Sequence, residues 1–169
     1  MREFHLLHPE VQDRAREAMT LLQARKLDIL ITCTYRSWIE QAAEYAKGRT
    51  VLNGRPTPKH PMGSIVTNAR PGQSWHNWGR ALDFVPRRDG KTLVWGTKGN
   101  GLDQDPSDDA TDDLELWQRC AACFQEVGFE WAGDWKTFRE YPHVELTGGH
   151  TIKELLSKYP RGLKPGEFV

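Results

Sequence analysis

The segment Ser74-Trp75-His76-Asn77-Trp78-Gly79-Arg80-Ala81-Leu82-Asp83 sets an imidazole and a carboxylate seven residues apart, on either side of a glycine. Gly79 allows the backbone to turn tightly, because glycine tolerates conformations that other residues avoid. Residues 80–85 then alternate as a β-strand does. The loop and the strand can therefore converge, so that His76 and Asp83 face a common point.

A third candidate ligand lies far downstream, in Glu140-Tyr141-Pro142-His143. Residues 142–146 predict another strand, which could present His143 to the face used by Asp83. Two neutral histidines and one aspartate suit zinc and leave one position open for water. Glu140 can then accept a proton from that water. Glu145 competes for the role of base, or supports His143, since alternation places both on one side of the strand.

The order of the remaining elements predicts an α+β fold. We expect one compact domain over residues 1–169, with a small, largely antiparallel sheet flanked by helices and the metal site in a cleft over the sheet. Ser37 and Glu40 form a capping-box pattern at the start of the second helix. Helices are predicted over residues 9–26, 37–48, 114–127 and 151–159, and strands over residues 28–35, 80–85, 129–131 and 142–146.

Residues 49–73 contain four prolines and three glycines, with little periodicity. We predict a long loop without regular structure that forms one wall of the cleft.

Composition excludes several classes of protein. The formal net charge is zero, which argues against nucleic acid or an anionic membrane surface as a partner. The N-terminal residues lack the apolar run of a signal peptide, and no stretch has the length of a membrane span. Three cysteines do not indicate a disulfide framework, and Cys120 and Cys123 are expected to be small buried side chains of a helix.

An acidic segment raises the question of calcium. Asp103, Asp105, Ser107 and Asp109 fall on alternate positions, as in a calcium-binding loop. However, Asp108 stands where that loop needs glycine, and Leu114 stands where it needs glutamate. A solvated acidic loop over residues 103–113, ending at Asp113, is therefore favoured over a calcium site.

The pattern Ser74-x-His76-x-x-Gly79-x-Ala81-x-Asp83, followed by Glu140-x-x-His143, resembles the zinc D-alanyl-D-alanine carboxypeptidase-like peptidases. Within them it looks most like the L-alanyl-D-glutamate endopeptidases that serve as bacteriophage endolysins. The resemblance extends to residues 34–37, 41–45 and 129–135. There are two departures: many phage enzymes carry aspartate where Glu140 stands, and Ala132 stands where glycine is frequent.

The resemblance implies a role for each matching residue. His76, Asp83 and His143 would hold one zinc ion, and Glu140 would be the catalytic base. Arg36 would be directed toward the substrate carbonyl or carboxylate. Most of the nearby tryptophans are expected in the core, with Ser74, Trp78 and Trp131 as the candidate substrate contacts.

The resemblance also implies a function. The expected activity is a zinc-dependent peptidoglycan endopeptidase that cleaves the L-alanyl-D-glutamate bond of peptide stems and lyses the host. The enzyme would be a monomer without a separate wall-binding domain, made in the host cytoplasm and released by a holin to act in the periplasm. The alternatives are a D-alanyl-D-alanine carboxypeptidase or dipeptidase, which Glu140 favours, and a non-enzymatic, zinc-stabilised binding module.

Overall fold

The computed structural model describes residues 3–49, 51–52, 55–56, 65–97, 113–164 and 166–169. Short 3-10 helices lie at Phe4–Leu6, Trp75–Trp78 and Ala132–Asp134. The α-helices are α1 (Pro9–Ala24), α2 (Trp38–Ala46), α3 (Leu114–Glu126) and α4 (Ile152–Lys158). The strands are β1 (Ile29–Cys33), β2 (Val51–Leu52), β3 (Arg55–Pro56), β4 (Ala81–Arg88), β5 (Thr92–Leu93), β6 (Glu130–Trp131) and β7 (His143–Glu145).

The central sheet has the strand order β1-β4-β7-β6, and every described pairing in it is antiparallel. Strand β4 lies between β1 and β7 and is the longest of the set. Its far end also pairs with β5. A residue of β4 thus has cross-strand neighbours on both sides, and this arrangement positions the site.

The hydrophobic core joins the sheet to helices α1 and α3. Helix α1 buries Val11, Ala15, Ala18 and Leu22, a spacing of three or four residues that keeps one face of the helix apolar. From α3, the Phe124 ring stacks on Phe84 of β4 with the ring centroids 5.1 Å apart. Aromatic pairs at this distance add packing energy beyond the area they bury.

Two of the helices begin at capping residues that are visible in the sequence. The Ser37 and Glu40 capping box is present at α2, with the Glu40 amide donating to Ser37 Oγ at 3.2 Å and the Ser37 amide donating to Glu40 Oε2 at 2.8 Å. Asp113 caps α3 by accepting a hydrogen bond from the amide of Leu116. Each cap satisfies amides that the first helical turn leaves without partners.

The predicted α+β fold with a small antiparallel sheet is confirmed. The prediction that residues 49–73 lack regular structure is wrong for one part, since β2 and β3 pair there with Pro56 opposite Val51. Proline is tolerated because so short a pairing requires few amide donors. The candidate calcium positions Asp103, Asp105, Ser107 and Asp109 lie outside the described residues.

Among the described helices, none combines the length and the apolar character that a transmembrane span requires.

Candidate active site

Three side chains that are distant in the sequence meet at one point. His76 Nε2 lies 3.0 Å from Asp83 Oδ1 and 3.2 Å from His143 Nδ1, and His143 Nδ1 lies 3.1 Å from Asp83 Oδ1. His76 and His143 are almost completely buried, and Asp83 is 18% exposed. The three atoms form a nearly equilateral triangle of electron-pair donors.

Backbone pairing and a tight turn create this triangle. Asp83 and His143 are direct partners in the β4–β7 register, so their side chains leave the sheet on one face. His76 arrives on the 3-10 helix that Gly79 ends, with φ of 66° in the left-handed region. A Cβ at Gly79 would lie 2.8 Å from the carbonyl oxygen of Leu6. Glycine is therefore required by both conformation and space.

Outer hydrogen bonds fix which imidazole nitrogen faces the triangle. His76 Nδ1 lies 2.6 Å from the carbonyl oxygen of Thr34, an acceptor, so this nitrogen carries the proton and Nε2 offers its lone pair. His143 Nε2 lies 2.8 Å from Glu145 Oε2, so Nδ1 offers its lone pair. Such outer partners are typical of histidines that bind metal ions.

The triangle fits a tetrahedral zinc ion. Ligand atoms at zinc bonds of about 2.0–2.1 Å stand about 3.3–3.4 Å apart, close to the separations found here. Three lone pairs this close repel one another unless a cation lies between them. The donor set, two imidazoles and one carboxylate, is also one that catalytic zinc uses, with a fourth position left open.

The charges of these groups are strongly coupled. Burial alone lowers the pKa of His76, but the Asp83 carboxylate and, to a smaller extent, Cys33 together outweigh burial and raise it to about 10. Burial opposes ionisation of Asp83, yet the two histidines hold the pKa of its carboxyl well below the ordinary value. In the metal-free protein, a proton shared between His76 and Asp83 thus offsets the negative charge of the carboxylate, as a bound cation would.

Glu140 and Arg36 lie beside the triangle. Burial raises the pKa of Glu140, an effect that the neighbouring His143 only partly offsets. A raised pKa suits a group that accepts and returns a proton near neutral pH. Arg36 Nη2 lies 3.6 Å from Asp83 Oδ2, and Arg36 Nη1 donates to Gln41 Oε1 at 3.0 Å. Gln41, a residue of α2, therefore helps to hold the guanidinium group of Arg36 at the site.

These groups open into a cleft of about 610 Å³. Residues 66–69 line one wall, as predicted for this loop, and Ser74, Trp75 and Trp135 line the cleft beside the triangle. The side chains of Trp95 and Phe138 are half exposed at the cleft.

Two predicted substrate contacts are in the core instead. Trp78 is 1% exposed and donates to the carbonyl oxygen of Gly72, and Trp131 is 5% exposed and donates to that of Tyr141. Neither is among the residues that line the cleft. The expectation that Trp78 and Trp131 contact substrate is corrected, because their indole N–H groups are satisfied within the fold.

Cys33 is a site residue that sequence reasoning missed. Its Sγ lies within a group with His76 and Asp83 whose ligand atoms are all within 4.8 Å of one another. His143 Nδ1 lies 3.2 Å from His76 Nε2 and 3.1 Å from Asp83 Oδ1, so the two histidines and Asp83 form one compact set, and Cys33 Sγ lies within 4.8 Å of two of its members. Burial alone raises the pKa of the Cys33 thiol, but His76 and Arg36 lower it overall. Nothing in the spacing of the sequence singles out this cysteine.

Comparisons with known proteins show which family this chain resembles. Residues 67–146 match a family model described as D-alanyl-D-alanine carboxypeptidase. The peptidoglycan L-alanyl-D-glutamate endopeptidase CwlK of Bacillus subtilis is 36% identical over 141 residues, which cover 83% of this chain and 73% of the relative. The L-alanyl-D-glutamate peptidase of Listeria phage A118 is 26% identical over 132 residues, which cover 78% of this chain but only 35% of the phage protein.

A solved structure shares the fold. The L-Ala D-Glu endopeptidase ChiX of Serratia marcescens aligns with a TM-score of 0.53 at 19% identity, covering 93% of this chain and 86% of that one.

Proposed function

Because this chain belongs to the D-alanyl-D-alanine carboxypeptidase family of peptidases, we propose that it is a zinc-dependent peptidoglycan endopeptidase that cleaves the L-alanyl-D-glutamate bond of peptide stems. The single observation that carries the proposal is the triangle of His76, Asp83 and His143 at separations that suit zinc. Two relatives with L-alanyl-D-glutamate activity in their names support the choice of bond.

His76, Asp83 and His143 would hold one zinc ion, which when bound supplies a Lewis acid for the substrate carbonyl and acidifies water. Glu140 takes a proton from the attacking water and returns it to the amide nitrogen as the leaving amine departs. Arg36 lies where it can donate hydrogen bonds to the carbonyl oxygen as negative charge develops. A well-placed donor of this kind contributes about 3 kcal/mol to the transition state.

We further propose that the protein acts as an endolysin, made in the host cytoplasm and admitted to the wall by a holin. The phage relative supports this role. Addition of the purified protein to intact cells and to chloroform-permeabilised Gram-negative cells tests it. Lysis of the permeabilised cells alone is expected, and failure to lyse them would contradict the lytic role without affecting the chemistry.

A D-alanyl-D-alanine carboxypeptidase is the second candidate, favoured by the description of the matching family model and by glutamate at position 140. Digestion of purified sacculi followed by mass spectrometry separates the two activities. The endopeptidase releases peptides that begin with D-glutamate, whereas the carboxypeptidase releases free D-alanine.

The substitution Glu140→Gln tests the catalytic assignment. Because the amide cannot accept the proton, turnover of sacculi should fall by about 10²- to 10⁴-fold, while zinc content measured by atomic absorption stays unchanged. Glu130→Gln, on an exposed residue of β6, is the control and should retain activity. Retained hydrolysis by Glu140→Gln would remove Glu140 from the mechanism, and a binding module without activity would show no hydrolysis in any variant.

A further inference from the structure

A row of three side chains crosses the central sheet at the site. In the register of the strands, Asp83 of β4 is opposite His143 of β7 on one side and opposite Cys33 of β1 on the other. Side chains that are direct cross-strand partners leave the sheet on one face, with Cβ atoms about 4.5–5.5 Å apart. Cys33 therefore shares the face of the sheet that carries two of the proposed zinc ligands.

A bulge in β1 directs Cys33 to that face. Ile31 is opposite Phe84, yet Cys33 is opposite Asp83, so β1 advances two residues while β4 advances one. In a regular strand Cys33 would share the face of Ile31, which packs against the core. The extra residue, Thr32, places Cys33 on the opposite face instead. Bulges beside active sites commonly redirect a side chain in this way.

The thiol is buried and close to the ligands. Arg36 Nη2 donates to Cys33 Sγ at 3.3 Å, and the thiol itself donates a long hydrogen bond, 3.7 Å, to the carbonyl oxygen of Thr34. Cys33 is absent from the residues that line the cleft, although His76, Asp83 and His143 are all among them. The sulfur thus approaches the triangle from the floor of the site.

We propose that Cys33 is a further ligand of the bound ion and gives the site a preference for thiophilic metals. The proposal rests on the zinc site of the proposed function. A zinc–sulfur bond of about 2.3 Å places sulfur about 3.5 Å from the other ligand atoms. Cys33 Sγ lies at most 4.8 Å from the ligand atoms of His76 and Asp83, so each of these two distances needs to shorten by at most about 1.3 Å.

The thiolate binds from the floor and leaves the cleft side open to water and substrate, a five-coordinate arrangement that zinc accepts. On binding, the thiol proton leaves to solvent and a sulfur–metal bond forms, because a coordinating thiol is deprotonated by the ion. Soft thiolate donors favour zinc and cadmium over hard ions such as magnesium.

Cobalt(II) substitution tests the bond directly. The cobalt-loaded full chain should show a thiolate-to-cobalt charge-transfer band in the near ultraviolet, since sulfur is bonded to the metal. Cys33→Ala should lose the band, and the control Cys120→Ala, which removes a buried thiol from α3, should keep it. This readout needs no catalytic activity, and the unaltered protein answers it even if a variant fails to fold.

Competition with a chromophoric chelator measures the consequence. Cys33→Ala should bind cadmium at least ~10-fold more weakly, with a smaller loss for zinc, because cadmium gains more from sulfur. Cobalt binding without the charge-transfer band, together with unchanged cadmium affinity in Cys33→Ala, would overturn the proposal and leave the zinc site intact. Failure of the unaltered protein to bind any of these metals would overturn the proposed function as well.

Discussion

At the scale of single residues, the site depends on partners that hold the imidazoles in one tautomer. His76 is oriented by a backbone carbonyl, which no substitution removes, whereas His143 is oriented by the side chain of Glu145. Glu145 is 7% exposed, so little water competes for the hydrogen bond. The negative charge of Glu145 also increases the electron density that His143 offers to a cation.

We predict that Glu145→Gln weakens zinc binding by about 10-fold, at the low end of the range for such partners, because the amide keeps the shape but loses the charge. The measurement is zinc affinity by chelator competition. Glu130→Gln is a matched control, since Glu130 is the exposed cross-strand partner of Glu145. Equal zinc affinities in the two variants would show that Glu145 does not support the metal site.

At the scale of elements, the turn at Gly79 connects the 3-10 helix Trp75–Trp78, which carries His76, to β4, which carries Asp83. Gly79 has a positive φ and packs against the N-terminal segment, where its carbonyl oxygen accepts a hydrogen bond from the amide of His8 at 2.9 Å. His76 precedes this turn and Asp83 follows it. Any displacement of the turn therefore changes the separation of the two side chains.

We predict that Gly79→Ala lowers the free energy of unfolding by roughly 1–3 kcal/mol for the left-handed conformation, with a further loss from the clash with Leu6. Gly90→Ala is the control: it has φ of 65° but no atom within 4 Å of the added Cβ. Denaturant unfolding of both variants separates conformational strain from crowding. Equal losses would mean that the close approach at Gly79 has no energetic weight.

At the scale of the whole molecule, the buried charged groups make the stability of the fold depend on pH and on metal binding. The pKa of His76 is raised to about 10 in the folded, metal-free chain, against about 6.5 when unfolded. The stability that this shift supplies is complete below pH 6.5 and is lost as pH rises toward 10. Asp83 has the opposite sign: its lowered pKa supplies stability above its ordinary value of 3.8, which is lost as pH falls.

We therefore predict that the Tm of the chelator-treated protein falls between pH 6.5 and 8.5, whereas that of the zinc-loaded protein changes less, because the cation replaces the proton at His76. Calorimetric scans at a series of pH values measure both. A Tm of the chelated protein that rises over this range would contradict the assigned charges.

The sequence by itself determined the local features, which depend only on neighbouring residues. The Ser37 cap, the glycine turn at Gly79 and the alternation that carries Asp83 all depend on contacts within a few positions of the chain. Such contacts form in the same way wherever the segment lies, because they need only local backbone geometry. The α+β fold class followed from the order of these segments.

Only the tertiary structure decided what distant segments do to one another. The register of β1 against β4 contains the bulge that brings Cys33 to the site, and this shift depends on pairing between segments about 50 residues apart. The burial of Trp78 and Trp131 likewise depends on partners that fill the space around them. The spacing of residues along the sequence shows neither the bulge nor the burial of these tryptophans, because strand register and packing are properties of the assembled fold.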